Sequence, residues 1–198
     1  MYRLLPTLSA ATVTLLLILP PMLWAQQKSA DAPASTARSW KLGTELDVVP
    51  YATGGYYASF FGADKGWRLR AVVARSGTPS FLVSSGFEKK RTDAYALLVD
   101  RFLGAHRAEF KGFWVGSGVE YWHSRIRQAN TNDFTHYDNV LVTAGGGYVW
   151  RIKKYFYLNP WVDTNFVVGG SRDINVSGKV YTQPLVTPEV SLKLGFIF

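Results

Sequence analysis

Six segments of the chain alternate between apolar and polar residues with a period of two, which is the repeat of a β-strand. The last segment shows this most clearly: apolar side chains occupy every second position from Val190 to Phe198, and Lys193 lies on the opposite face. A strand with one apolar and one charged face suits a sheet whose two sides meet lipid and a polar lumen. The pattern therefore predicts a closed, membrane-facing sheet.

The other five alternating segments each have an apolar face that we predict to point outward. These outward positions are Leu42, Leu46, Val48, Trp67, Leu69, Ala71, Val73, Phe113, Val115, Val119, Tyr121, Val140, Val142, Ala144, Tyr148, Trp150, Ile152, Leu158, Val162, Phe166 and Val168. Two further segments are less clear. Residues 55–62 are aromatic on both faces, and residues 94–103 are nearly all apolar, which fits a strand or a helix ending at Gly104. We prefer the strand because its neighbours are strands.

Counting these segments gives eight strands, near residues 41–49, 55–62, 66–76, 90–103, 111–127, 138–152, 155–170 and 187–198. Their connections alternate between short or moderate turns and the long loops 77–89, 128–137 and 171–186. This is the outer-membrane arrangement, with turns in the periplasm and loops outside. Pro160 cannot donate to a strand ladder, so we expect a bulge or a local break there.

The N-terminal part is predicted to lie outside the fold. Residues 1–25 combine an early positive charge, an apolar core and a small residue at the cut, which is the outline of a secretory signal peptide. A retained transmembrane helix is the alternative, but the apolar run is short and interrupted by prolines. Residues 26–39 are polar and predict a flexible leader, which leaves residues 40–198 as the barrel domain.

Composition excludes several classes of function. The chain has 198 residues and no cysteine, which removes thiol catalysis and cysteine-based metal sites. Its net charge of +8 would suit nucleic acid, but an exported chain is expected to meet an anionic membrane surface instead. Aromatic residues at 15% favour a membrane barrel, with a soluble periplasmic barrel that binds an apolar ligand as a further reading.

The C-terminal residues Leu194–Phe198 resemble the terminal signature of bacterial outer-membrane barrels. The overall pattern resembles the small eight-stranded barrels typified by the OmpA transmembrane domain, OmpX and OmpW. That resemblance implies an all-β, eight-stranded antiparallel up-and-down transmembrane barrel in the cell outer membrane. It also implies that Leu194, Phe196 and Phe198 form an assembly signal read by the barrel-assembly machinery. The expected partners are that machinery and outer-membrane lipids, with no nucleic acid and no cofactor.

Charged residues are frequent on the faces predicted to point inward. The set is Glu45, Asp47, Arg68, Arg70, Asp100, Glu120, Arg151, Asp163 and Lys193. An eight-stranded barrel is just wide enough for side chains to fill it, so these charges should pair with one another. We interpret them as a structural ion network. A polar conduit or gated pore and a catalytic cluster remain as alternatives.

Catalysis is not expected, although one pair of residues invites the question. The resemblance includes lipid A deacylases and acyltransferases, whose activity needs a serine beside a histidine and an acid. His123 and Ser124 are adjacent near Glu120, but neighbours in a strand point to opposite faces. His106 and His136 are assigned to solvated connections, and three scattered histidines predict no metal site. A histidine beside Ser124 would favour a lipid-modifying enzyme over a structural, adhesive or small-permeation protein.

Aromatic residues cluster toward the predicted strand ends. Trp67, Phe113, Trp150, Phe156 and Phe198 lie near one rim, and Tyr121 and Phe166 lie nearer the other. Amphipathic rings at headgroup level form such girdles. Trp122 and Trp161 face the lumen, where we expect packing rather than a sugar-binding platform. The run Gly145–Gly147 is expected to relieve crowding in the sheet and not to bind phosphate.

Overall fold

Ten strands, one short α-helix and one 3₁₀ helix (Arg107–Glu109) are present in the computed structural model, which describes residues 40–79, 83–132 and 134–198. The helix α1 is Val48–Ala52. The strands are β1 (Lys41–Asp47), β2 (Tyr56–Asp64), β3 (Trp67–Thr78), β4 (Phe87–Phe102), β5 (Gly112–Gln128), β6 (Phe134–Arg151), β7 (Phe156–Gly170), β8 (Asp173–Val176), β9 (Lys179–Thr182) and β10 (Val186–Ile197). The predicted signal peptide and leader lie outside the described residues.

Strands β1 to β7 and β10 form a closed antiparallel barrel, in which β1 pairs with both β2 and β10. The closing seam sets Leu46 opposite Leu194 and Gly43 opposite Ile197. The backbone N–H of Phe198 then donates to the carbonyl of Leu42 at 2.9 Å. The eight predicted strands and the up-and-down topology are confirmed, and the last residue of the chain takes part in closing the sheet.

The outer surface of the barrel is apolar. Val190 is 74% exposed and Leu97 is 64% exposed, and both lie within long strands. The charged side chains of Arg68, Arg70 and Lys193 point the other way and are buried. A soluble barrel would need the reverse arrangement, so that alternative is wrong. The described residues contain no helix long and apolar enough to cross a membrane.

Two local predictions can be compared directly with the backbone. Residues 94–102 belong to β4, so the strand and not the helix is correct. Strand β7 continues through Pro160, and its register with β6 is the same on both sides of this residue. The pairing of β7 with β6 nevertheless passes from Trp161 directly to Leu158. Of the two expected alternatives, the local break in the ladder is therefore present at Pro160 and the bulge is not; the register shift between β6 and β7 lies between Val140 and Leu141.

The two ends of the barrel differ in how the strands are joined. At one end, which we call the turn end and which carries Trp40 and Phe198, Lys65 and Gly66 make a two-residue turn with φ of 50° and 82°, the positive values that a tight hairpin requires. At the opposite, outer end β3, β4 and β6 run further than predicted, so the connections expected at 77–89 and 128–137 are shorter. Strand β1 is also shorter than predicted, because the Asp47 carboxylate caps α1 by accepting from the N–H of Val49 at 3.2 Å.

Candidate functional site

Four charged side chains meet inside the barrel and form its central ion network. Arg68 donates to Glu45 Oε1 at 2.8 Å and to Asp100 Oδ2 at 2.7 Å. Arg70 donates to both carboxylate oxygens of Asp100, at 2.7 and 2.9 Å, and lies 3.5 Å from Glu45. Two acids and two bases balance one another, and all four side chains are buried. Strands β1, β3 and β4 supply them, because alternate residues of adjacent strands point into the same narrow lumen.

Uncharged residues extend this network. Glu45 also accepts from the Tyr157 hydroxyl at 2.8 Å and from Asn159 Nδ2 at 3.0 Å. The Arg68 guanidinium lies 5.1 Å from the ring centroids of both Phe102 and Trp114. Hydrogen bonds offset the cost of burying charge, and these contacts satisfy most of the network, although Glu45 Oε2, Arg68 Nη2 and Arg70 Nη1 form no hydrogen bond within the described residues. The sequence alone did not reveal the role of Tyr157, since the strand pattern shows which side chains face inward but not which of them touch.

A second polar group lies around Asp47. Its carboxylate accepts from Trp161 Nε1 at 2.9 Å and from the hydroxyl of Ser191. The Lys193 ammonium sits 3.7 Å from the Trp161 ring centroid, which is close enough for a cation–π contact. Trp161 therefore packs within the lumen, as does Trp122, which donates to Glu120 at 2.8 Å. Neither indole forms an open platform for a sugar.

The remaining residues of the predicted set lie elsewhere. Asp163 is half-buried and stands opposite Gly145 of β6. Arg151 was predicted to join the ion network of the lumen, and it does not. It lies at the turn end and donates to the backbone carbonyls of Lys154 and Glu109 at 3.2 and 3.3 Å. Its position as the last residue of β6 brings it to the rim, where backbone carbonyls and not lumen carboxylates are in reach.

Apolar side chains fill both ends of the lumen. At the turn end, a cluster includes Phe61, Phe102 and Phe110, the last contributed by the β4–β5 connection. The space open to water beside Arg70, Asp100 and Trp114 is about 10 Å³, which is room for a single molecule at most.

At the outer end, the hairpin of β8 and β9 inserts Ile174, Val176 and Tyr181 against inward-facing residues of the barrel, Phe87, Ile126 and Tyr137. The Tyr181 ring makes an edge contact with Phe87 at 5.4 Å between centroids. Tyr137 and Lys90 both donate to Gln183 Oε1, at 3.1 and 2.9 Å. The hairpin therefore packs into the mouth of the barrel as part of its core, a feature that the sequence pattern did not predict.

His123 and Ser124 stand on opposite sides of the barrel wall. Ser124 is buried inside and shares a hydrogen bond of 3.0 Å with Thr92. His123 is outside, where its Nδ1 lies 2.7 Å from Asp138 Oδ1. The serine–histidine pair required by the lipid-modifying hypothesis is not formed. Within the described ranges, no group of three or more His, Cys, Asp or Glu side chains is placed to hold a metal ion.

The outward aromatic residues form the two expected girdles. Trp67, Phe113, Trp150, Phe156 and Phe198 are each more than half exposed and lie toward the turn end. Tyr95 joins Tyr121 in the outer girdle, with 6.4 Å between their ring centroids. Inside the sheet, Gly147 leaves room for the Trp114 indole, which a Cβ at that position would contact at 2.9 Å. The glycine run therefore relieves crowding, as predicted.

Comparison with known proteins gives structural matches only. No protein-family model matches the chain, and no curated protein sequence matches it. The similar solved structures include the N-terminal β-barrel domain of Pseudomonas aeruginosa OprF, at 13% identity over 81% of this chain and 98% of that one, with a TM-score of 0.49. They also include Neisserial surface protein A, at 12% identity over 80% of this chain and 94% of that one, with a TM-score of 0.45.

The architecture itself rests on the chain's own strand pairing and exposure. It is a closed eight-stranded antiparallel barrel with an apolar, aromatic-girdled exterior and a polar interior. Such an exterior is stable in a lipid bilayer, and a closed barrel leaves no strand edge unpaired there. The chain folds as a closed eight-stranded antiparallel β-barrel with a lipid-compatible exterior, which is the architecture that the sequence resemblance implied.

Proposed function

We propose that the protein is a non-conducting outer-membrane barrel with a structural or adhesive role at the cell surface. The observation that supports this most directly is the filling of the lumen. Aromatic clusters occupy both ends, and the neutral network of Glu45, Arg68, Arg70 and Asp100 lies between them. A small-permeation role would need a continuous polar path, and the packed Phe110 and Tyr181 stand in its way.

The strand lengths support a role outside the membrane. A spanning β-strand needs about 9–11 residues. Strands β4, β5 and β6 have 16, 17 and 18 residues. Because Trp40 and Phe198 both lie at the turn end, which we assign to the periplasm, the additional residues extend beyond the outer leaflet. The docked hairpin of β8 and β9 stiffens this extension, which gives the protein a rigid surface suited to contact with other molecules.

Reconstitution tests the proposal. The purified protein should change its mobility on a gel between unheated and heated samples, because a closed barrel resists unfolding by detergent. In a planar bilayer, the same preparation should give no discrete conductance steps, with an open porin as the positive control for insertion and recording. Reproducible steps from the folded protein would contradict the closed lumen. Equal mobility of heated and unheated samples would contradict the barrel itself.

A further inference from the structure

A row of basic side chains crosses the outer face of the barrel just beyond its outer aromatic girdle. Arg91 of β4 stands directly opposite Arg125 of β5, and Arg125 stands opposite His136 of β6. Like charges directly opposite one another destabilise a sheet unless an anion lies between them. We call Arg91 and Arg125 the arginine pair.

Nearby carboxylates have other partners. Asp93 forms a two-pronged ion pair with Arg75, and Asp138 accepts from both His123 and Tyr121. Glu88 accepts from Arg127 at 2.8 Å and from the backbone N–H of Asn130 at 2.6 Å. Within residues 40–79, 83–132 and 134–198, no carboxylate forms an ion pair with Arg91 or Arg125. Asp93 lies near enough to attract Arg91, but both of its carboxylate oxygens are hydrogen-bonded to Arg75. The guanidinium groups of Arg91 and Arg125 can therefore still bind an added anion.

The pair is held in place. Arg91 donates to the carbonyl of Gly54 at 3.2 Å, which leaves other N–H groups of its guanidinium free to donate. Arg125 lies 5.2 Å from the centroid of the Phe134 ring, a cation–π distance. Two positioned guanidinium groups on one face are suited to phosphate oxygens, which they bind through parallel hydrogen bonds.

Position along the strand identifies the source of the phosphate. Arg91 is four residues beyond Tyr95, and Arg125 is four beyond Tyr121, which is about 13 Å along a tilted strand. The girdle tyrosines lie at the edge of the hydrocarbon layer. Beyond them, on the outside of the wall, an arginine side chain meets lipid headgroups. We propose that the arginine pair binds the phosphorylated headgroup of an outer-leaflet lipid. This inference rests on the proposed insertion in the outer membrane.

Lipid titration of the folded protein tests the proposal. The protein in non-ionic detergent is titrated with phosphatidic acid, with phosphatidylcholine and with inorganic phosphate, and bound molecules are counted by native mass spectrometry. The variant R91Q/R125Q should bind phosphatidic acid about tenfold more weakly than the wild type. The matched control K153Q removes one charge from the exposed turn between β6 and β7 and should bind as the wild type does.

Three outcomes would overturn the headgroup site. They are equal affinity of R91Q/R125Q and the wild type, equal affinity for phosphatidylcholine and phosphatidic acid, and inorganic phosphate binding as tightly as the lipid. Without anionic lipid, the double variant should unfold at no lower temperature than the wild type, because it relieves repulsion between like charges. If the wild type showed no heat-dependent gel shift, this result would count against membrane insertion. It is therefore distinguishable from a folded protein that fails to bind the lipid headgroup.

Discussion

Arg68 on β3 and Glu45 on β1 are joined across the barrel interior by a hydrogen bond of 2.8 Å, and their side chains are only 1% and 0% exposed. The two strands are not neighbours, since β2 lies between them. The contact therefore braces the barrel through its lumen in addition to the ladders in its wall. Its loss should cost much more than the loss of a surface charge.

The variant Arg68→Ala leaves Glu45 without its closest cation and Asp100 with Arg70 alone. Removing one partner of a buried ion pair costs about 3–5 kcal/mol, because the remaining charge is uncompensated. Urea unfolding in lipid vesicles should show a loss of this size. Lys153→Ala, at an exposed turn, should change the free energy of unfolding by less than about 0.5 kcal/mol. Equal stability of both variants would show that the network contributes nothing to the fold.

A charged substitution on the outer surface should destabilise the folded barrel only where the side chain meets hydrocarbon. Leu97 lies in the middle of β4 and is 64% exposed, so Leu97→Arg places a charge in lipid and should cost about 2–4 kcal/mol. Asn132→Arg, at an exposed position in the connection between β5 and β6, should be close to neutral. Folding yields into vesicles, measured by the heat-dependent gel shift, compare the two. A similar loss at both positions would be inconsistent with the assigned membrane boundary.

Docking of the outer hairpin should depend on Tyr181. Tyr181→Ala removes ring contacts with Phe87 and Tyr137 and a hydroxyl that donates to Gln183 at 3.3 Å. We expect faster proteolytic cleavage within residues 171–185, with the barrel remaining resistant. Val180→Ala is the matched control, because Val180 lies on the other face of β9 and is 62% exposed. Unchanged cleavage of the Tyr181 variant would mean that these contacts do not hold the hairpin.

The β4–β5 turn contains a carboxylate whose titration can be followed outside the membrane. His106 Nδ1 lies 3.1 Å from Glu109 Oε1, and this hydrogen bond lowers the pKa of Glu109. The folded state thus favours the ionised carboxylate. This contribution to stability is present above the ordinary glutamate pKa and is lost as the pH falls through the lowered value. Carboxyl NMR of His106→Ala should show the Glu109 pKa rising toward its ordinary value, whereas His136→Ala should leave it unchanged.

Sequence alone predicted the wall of the barrel but not the contacts within it. Period-two alternation identifies the strands and their two faces, so Lys193 and Leu194 were assigned correctly to opposite sides. Which inward side chains touch depends on the register of eight strands around a closed barrel. Arg151 consequently looked like a lumen charge, although it bonds rim carbonyls.

Short elements were missed for a different reason. Strands β8 and β9 have four residues each, too few for an alternating pattern to stand out within a polar connection. Phe110 likewise enters the lumen from a turn and not from a strand. The alternating pattern therefore could not predict that side chains fill both barrel ends. That filling is the main support for a non-conducting role.

Spin labelling along β4 tests the lipid-facing barrel most directly, because the chain has no cysteine and each introduced one is labelled uniquely. Single cysteines at residues 95 to 99, in protein reconstituted in vesicles, report access of oxygen from the bilayer. Oxygen access should be high at residues 95, 97 and 99 and low at 96 and 98, matching the exposed Leu97 and the buried Leu98. Access without this alternation, or a label at residue 97 that a water-soluble nickel reagent reaches freely, would contradict the membrane-spanning barrel.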